Sequence, residues 1–127
     1  MNLVAVVAAL AVLEYVVILL LTGQARGRFG VAAPATTGHP EFERYFRVQQ
    51  NTLEQMIVFL PGIFLFANYV SPGFASLLGF GFIVGRILYA RGYIADPAKR
   101  GTGFIISFVS SLLLLLGGLI GATLAAF

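Results

Sequence analysis

The 127-residue chain is 59% hydrophobic and 10% charged, with no Cys and no Trp, and its mean hydropathy of +0.94 lies outside the range of soluble domains. Without cysteine there is no disulfide, iron–sulfur cluster or thiolate metal site, and the single His39 cannot build a metal site alone, so no metal is expected. A net charge of +3 and a pI near 9.7 would suggest nucleic acid in a soluble protein; here topology and an anionic ligand explain the cations better, and no nucleic-acid partner is expected.

Crossing the hydrocarbon core takes about 20 mostly apolar residues, and four segments qualify. The first, Leu3 to Leu21, is apolar except for Glu14. No Lys or Arg precedes it, and it is too long for the apolar core of a signal peptide. Glu14 lies near its middle, about 15 Å from the following loop along a straight helix. Two readings compete for it: a carboxyl neutral or paired inside a bundle, or a proton-coupled site. Arg26 and Arg28 read as part of the first loop, which ends in Thr37-Gly38-His39-Pro40.

The second segment, Glu41 to Val70, is polar in its first half and apolar in its second. Charge inside a bilayer costs several kcal/mol per group unless it is paired or faces a cavity, so a helix carrying Arg44, Arg47 and Glu54 inward is expected to bind something polar. At about 100° per residue, Arg44, Arg47, Asn51 and Glu54 share an arc of roughly 80°, while Gln49 points to a different face. One helix can therefore line two polar sites, as it would at a subunit boundary. An intrahelical network joining Arg47 to Glu54 through Asn51 is the plainer alternative. Pro61 is expected to kink the apolar half.

The third segment, Phe74 to Tyr93, is interrupted by Arg86, and Arg86, Tyr89 and Tyr93 share one helical face. The two tyrosines also fit an interfacial aromatic belt. Asp96-Pro97 breaks the helix before Lys99-Arg100, and the fourth segment, Gly103 to Phe127, carries no charge. Gly79, Gly81 and Gly85 on the third helix, with Gly117 and Gly121 on the fourth, have the small-residue spacing that lets helices approach closely. Helices are thus predicted over about 2–23, 41–70, 73–95 and 101–126. They form a single all-α integral membrane domain over 1–127, a four-transmembrane-helix bundle. With four spans, all eight cations fall on the side of the first and third loops, which the positive-inside rule makes cytoplasmic.

The run Thr36-Thr37-Gly38-His39-Pro40-Glu41-Phe42-Glu43-Arg44, then Arg47-Val48-Gln49-Gln50-Asn51 and Glu54, closely resembles the signature of the MAPEG family, the membrane-associated proteins in eicosanoid and glutathione metabolism. The likeness continues through Gly85-Arg86-Ile87-Leu88-Tyr89-Ala90-Arg91-Gly92-Tyr93 and Asp96-Pro97-Ala98-Lys99-Arg100-Gly101. It covers roughly Arg26 to Arg100 and looks most like the bacterial glutathione-transferase branch. The resemblance implies a homotrimer in the membrane lipid, in bacteria the inner membrane, with glutathione as co-substrate bound between subunits near the cytoplasmic face. Arg26, Arg47, Asn51, Glu54, Tyr89 and Tyr93 would hold the tripeptide, Gln49 would come from the adjacent subunit, and Arg100 would activate the thiol. Gly27 and Gln55 depart from the leukotriene-forming branch, which carries a second arginine and a tyrosine there.

The expected function is that of a membrane glutathione transferase acting on lipophilic electrophiles, with a possible peroxidase activity towards lipid hydroperoxides. Two alternatives stand beside it. A transporter resembling the small multidrug resistance family would use Glu14 but leaves the stretch from Arg44 to Glu54 without a role. A non-catalytic, lipid-binding member of the same family would leave Arg100 without one.

Overall fold

A computed structural model describes residues 1–127. Four helices follow one another: α1 Asn2–Phe29, α2 Pro40–Tyr69, α3 Pro72–Ala95 and α4 Gly101–Ala126, with a single 3-10 turn at Pro97–Arg100 between the last two. All four are long and apolar enough to cross a membrane. The fold is an all-α four-helix bundle, and the protein is an integral membrane protein.

The first helix runs about six residues past its predicted end, so Arg26 and Arg28 belong to its last turn and not to a loop. Cations at a helix C-terminus sit favourably against the aligned peptide dipoles, and Gln24, Ala25 and Arg26 are good helix formers. The helix stops at Gly30, which takes φ 70°; the N–H groups of Gly30 and Val31 both return to the Arg26 carbonyl. A left-handed residue after the last turn favours glycine because it carries no Cβ.

His39, read as a loop residue, caps α2. Its Nδ1 accepts from the Glu41 N–H at 3.1 Å, and its ring stacks on Phe29 with centroids 4.4 Å apart. That contact ties the start of α2 to the end of α1. Pro40 occupies the first helical position, where its missing N–H costs nothing. The helix then runs uninterrupted past Pro61. Arg44, placed by periodicity on the polar arc, donates to the carbonyls of Ile94 and Ala95 at 3.2 and 3.3 Å. It caps the end of α3, where carbonyls lack helical partners. Asp96 then opens the 3-10 turn by accepting from the Ala98 N–H at 3.1 Å.

The apolar core lies away from the charged end. Val4, Val7, Ala8 and Ala11 of α1 meet Met56, Phe59, Ile63 and Ala67 of α2, with Ala75 and Phe82 of α3 and Leu114 of α4. Phe59 and Phe82 stack with centroids 4.0 Å apart. Helices in lipid gain little from burying apolar surface against each other, so close fit matters more. At Gly85 a Cβ would meet the Ser107 nitrogen at 2.6 Å, and at Gly103 it would run into the Tyr89 backbone. The α3–α4 crossing is therefore backbone against backbone, next to the tyrosines of the predicted site.

Candidate active-site cleft at the cationic end

The α3–α4 crossing, the 3-10 turn and the polar arc of α2 enclose a cleft of about 360 Å³. It is lined by Arg47 and Asn51 of α2, Tyr89 and Tyr93 of α3, Arg100 and Gly101 at the turn, and Phe104 of α4. Two guanidinium groups, two phenols and a carboxamide suit a small anionic peptide. Arg47 and Arg100 offer bidentate geometry for carboxylates, while the phenols both donate and accept. Tyr89 packs at 5.7 Å from Tyr93 and 6.3 Å from Phe104, ring centre to ring centre. Arg100 is exposed and donates through Nη1 to the Pro97 carbonyl at 2.7 Å. That bond folds the side chain over its own turn and leaves Nη2 and Nε for a ligand.

Beneath the cleft Arg86 is completely buried. Its Nη2 donates to Asn51 Oδ1 and Thr52 Oγ1, each at 2.8 Å, and its Nη1 donates to Ser107 Oγ at 3.2 Å. The guanidinium carbon lies 4.2 Å from the centre of the Tyr89 ring. One side chain of α3 is thus bonded to both α2 and α4. Arg86 was legible as a costly charge in a span, but its partners were not. The available signal was Thr52 and Ser107, hydroxyls in otherwise apolar stretches, since a buried guanidinium requires acceptors. Gly101 and Phe104 also went unread, because neither carries a polar group.

Glu14 stays within the bundle. Both its carboxylate oxygens are buried without a hydrogen-bond partner. It lines a crevice of about 190 Å³ between α1 and α3, together with Arg86 and Arg91. Arg86 Nε also lacks a partner. No ion pair closer than 4.0 Å joins Glu14 to Arg86.

Five of the predicted binding residues converge: Arg47, Asn51, Tyr89, Tyr93 and Arg100. Three do not line the cleft. Glu54 is exposed on the same face of α2, about one turn beyond Asn51. Gln49 points elsewhere, as its angle requires. Arg26, grouped from the sequence with Arg47 and Glu54, is directed away from them. It donates to the Ala35 carbonyl at 2.6 Å and the Val31 carbonyl at 3.4 Å, and lies 4.8 Å over the Phe42 ring. Phe42 and Gln49 are seven residues apart, within about 20° on the helical wheel, so Arg26 sits on the Gln49 side of α2. This placement has a simple cause: α1 continues as a helix to Phe29, which carries Arg26 past α2 on the face away from the cleft. Nowhere do three His, Asp or Glu side chains converge as metal ligands.

Residues 4–120 match the sequence model of the MAPEG family. The chain belongs to the MAPEG family. An uncharacterized Synechocystis protein is 48% identical over 116 residues, 91% of this chain and 85% of the relative. Human microsomal glutathione S-transferase 2 is 45% identical over 101 residues, 79% of this chain and 69% of the relative. Rat leukotriene C4 synthase is 37% identical over 98 residues, 77% of this chain and 65% of the relative. In this MAPEG protein Gly27, one of the two noted departures, is exposed, and a Cβ there would meet nothing within 4 Å. Gln55, the other, is partly buried with its Oε1 unpaired.

Proposed function

We propose that the protein is a membrane glutathione transferase whose thiolate-forming site is the cleft between α2, α3 and the start of α4. The observation that carries this reading is the convergence of Arg47, Asn51, Tyr89, Tyr93 and Arg100 on one cleft in a MAPEG chain. Glutathione brings two carboxylates, an ammonium and a thiol. Arg47 would meet a carboxylate, Glu54 the ammonium, and Arg100 the sulfur. A free thiol has a pKa of about 8.5, so only a few per cent is thiolate at neutral pH. A permanently charged guanidinium beside it favours the thiolate by direct attraction. The thiolate then attacks an electrophilic carbon, forming a thioether as the leaving group departs or an epoxide opens. No covalent enzyme intermediate is required.

The same thiolate can attack the O–O bond of a lipid hydroperoxide. That step releases the alcohol and leaves a sulfenic acid, which a second glutathione converts to disulfide and water. The apolar substrate would enter from the lipid past Phe104. Placement of Arg26 and Gln49 together on the opposite side of α2 supports a homotrimer, in which each subunit offers that pair to its neighbour's cleft. The cation distribution supports a cytoplasmic position for the site, at the inner membrane in a bacterial host. The transporter reading rests on Glu14 alone and leaves the cleft unexplained, while Arg100 on the cleft wall weighs against a non-catalytic member.

The deciding experiment is a glutathione titration of detergent-purified protein, followed by thiolate absorbance, with the particle mass measured in parallel. Saturable thiolate formation in a particle of three copies is expected. A stable monomer with full binding would overturn the shared site, and no thiolate signal at saturating glutathione would overturn the transferase.

A further inference from the structure

Asn51 lines the cleft, but its carboxamide is not free to turn. A guanidinium carries five donors and no acceptor, so only the carbonyl end of Asn51 can face Arg86, which it does at 2.8 Å. That leaves the amide end, with its two donors, for the cleft. The arginine is itself held from two other sides. Thr52 and Ser107 are both fully buried, and they accept from Arg86 at 2.8 and 3.2 Å. Ser107 directs its own hydroxyl proton to the backbone carbonyls of Gly103 and Phe104, at 3.0 and 3.1 Å. Its oxygen is therefore committed as an acceptor for Arg86. Arg86 is not among the cleft's lining residues, yet it touches two that are, Asn51 and Tyr89.

We propose that Arg86 is a positioning residue that fixes Asn51 as a hydrogen-bond donor, so that this point of the cleft receives a carboxylate or carbonyl oxygen of the ligand and rejects a donor. The proposal rests on the cleft binding glutathione. Lysine cannot replace Arg86, because a single ammonium lacks the planar fork that spans Asn51, Thr52 and Ser107 together.

The test is calorimetric titration of glutathione into full-length protein in lipid nanodiscs, on four variants. Asn51→Asp keeps an acceptor for Arg86 and replaces the cleft-facing donor with an acceptor. It should weaken binding more than Asn51→Ala does, by at least about tenfold relative to wild type. Arg86→Lys alone should weaken binding by about tenfold, yet have little further effect in an Asn51→Ala background, because its influence passes through Asn51. Additive losses, as a merely structural arginine would give, overturn the inference. So does Asn51→Asp binding as tightly as wild type, a measurement that stands even if Arg86→Lys fails to fold. Failure of wild-type protein to take up glutathione would overturn the cleft's assignment and this inference together, whereas uptake with additive losses overturns this inference alone.

Discussion

The packing among α2, α3 and α4 is built in two different ways along its length. Far from the charges, it is steric: Phe59 stacks on Phe82 at 4.0 Å, and a Cβ on Gly118 would meet the Leu65 side chain at 2.7 Å and the Phe66 nitrogen at 3.0 Å. Near the cleft, α3 and α4 again touch closely at Gly85 and Gly103, but there the same helices are also joined by Arg86 and its bonds to Asn51, Thr52 and Ser107. Taking a guanidinium out of water costs several kcal/mol, and an apolar contact there would avoid that cost. The difference teaches what each end is for. A glycine-and-aromatic interface holds helices together, whereas a hydrogen-bonded one also sets the direction of polar groups in the adjoining cleft.

Breaking the steric end should have the largest effect. Gly118→Leu drives a branched side chain into the α2 backbone at Leu65 and Phe66, and overpacking of this kind costs up to about 3 kcal/mol. The variant is expected to lose its folded, monodisperse form in detergent, read by thermal unfolding and size-exclusion chromatography. Unfolding within a degree or two of wild type would show that the glycine contact does not hold this end.

At the polar end, Arg100→Met should leave the fold intact and reduce turnover at neutral pH by about 100-fold, the scale of losing one group that stabilises developing negative charge. Removing the cation raises the bound thiol's pKa towards its free value of about 8.5. The rising limb of the pH–rate profile should therefore move to higher pH, with partial recovery of rate there and a smaller change in glutathione affinity. A profile that stays in place would move the thiolate role to another cation such as Arg28.

Glu14→Gln sharpens the comparison at its middle. It removes the carboxylate that shares a crevice with Arg86 while keeping the side chain's size. A stability loss of about 1–2 kcal/mol is expected, with KM for glutathione nearly unchanged. Loss of proton-coupled drug efflux in vesicles, with stability untouched, would instead favour the transporter. The smallest effect is expected from Gly27→Arg on the open face of α1, where surface substitutions typically change stability by about 0.5 kcal/mol or less. Its readout is the ratio of kcat/KM for leukotriene A4 to that for an aryl halide. That ratio should rise if the missing arginine restricts the substrate, and an unchanged ratio would show that Gly27 does not discriminate.

The four spans, the polar arc of α2 and the tyrosine face of α3 were legible in the sequence, because hydropathy sets membrane depth and the 3.6-residue period sets which residues share a face. The long motif from Thr36 to Glu54 carried the family. What periodicity could not supply was the neighbour that each face meets. Arg44 and Arg47 lie on one arc, yet Arg44 closes the end of α3 while Arg47 reaches the cleft. Arg26 and Arg47 are both cations near the same membrane surface, yet they lie on opposite sides of α2. Arg86 differs from Arg91 in sequence only by position, yet one is fully buried and the other exposed. A helix's own geometry fixes angles around one axis; the partner of a side chain depends on where the other axes lie, and only the packing of all four helices decides that.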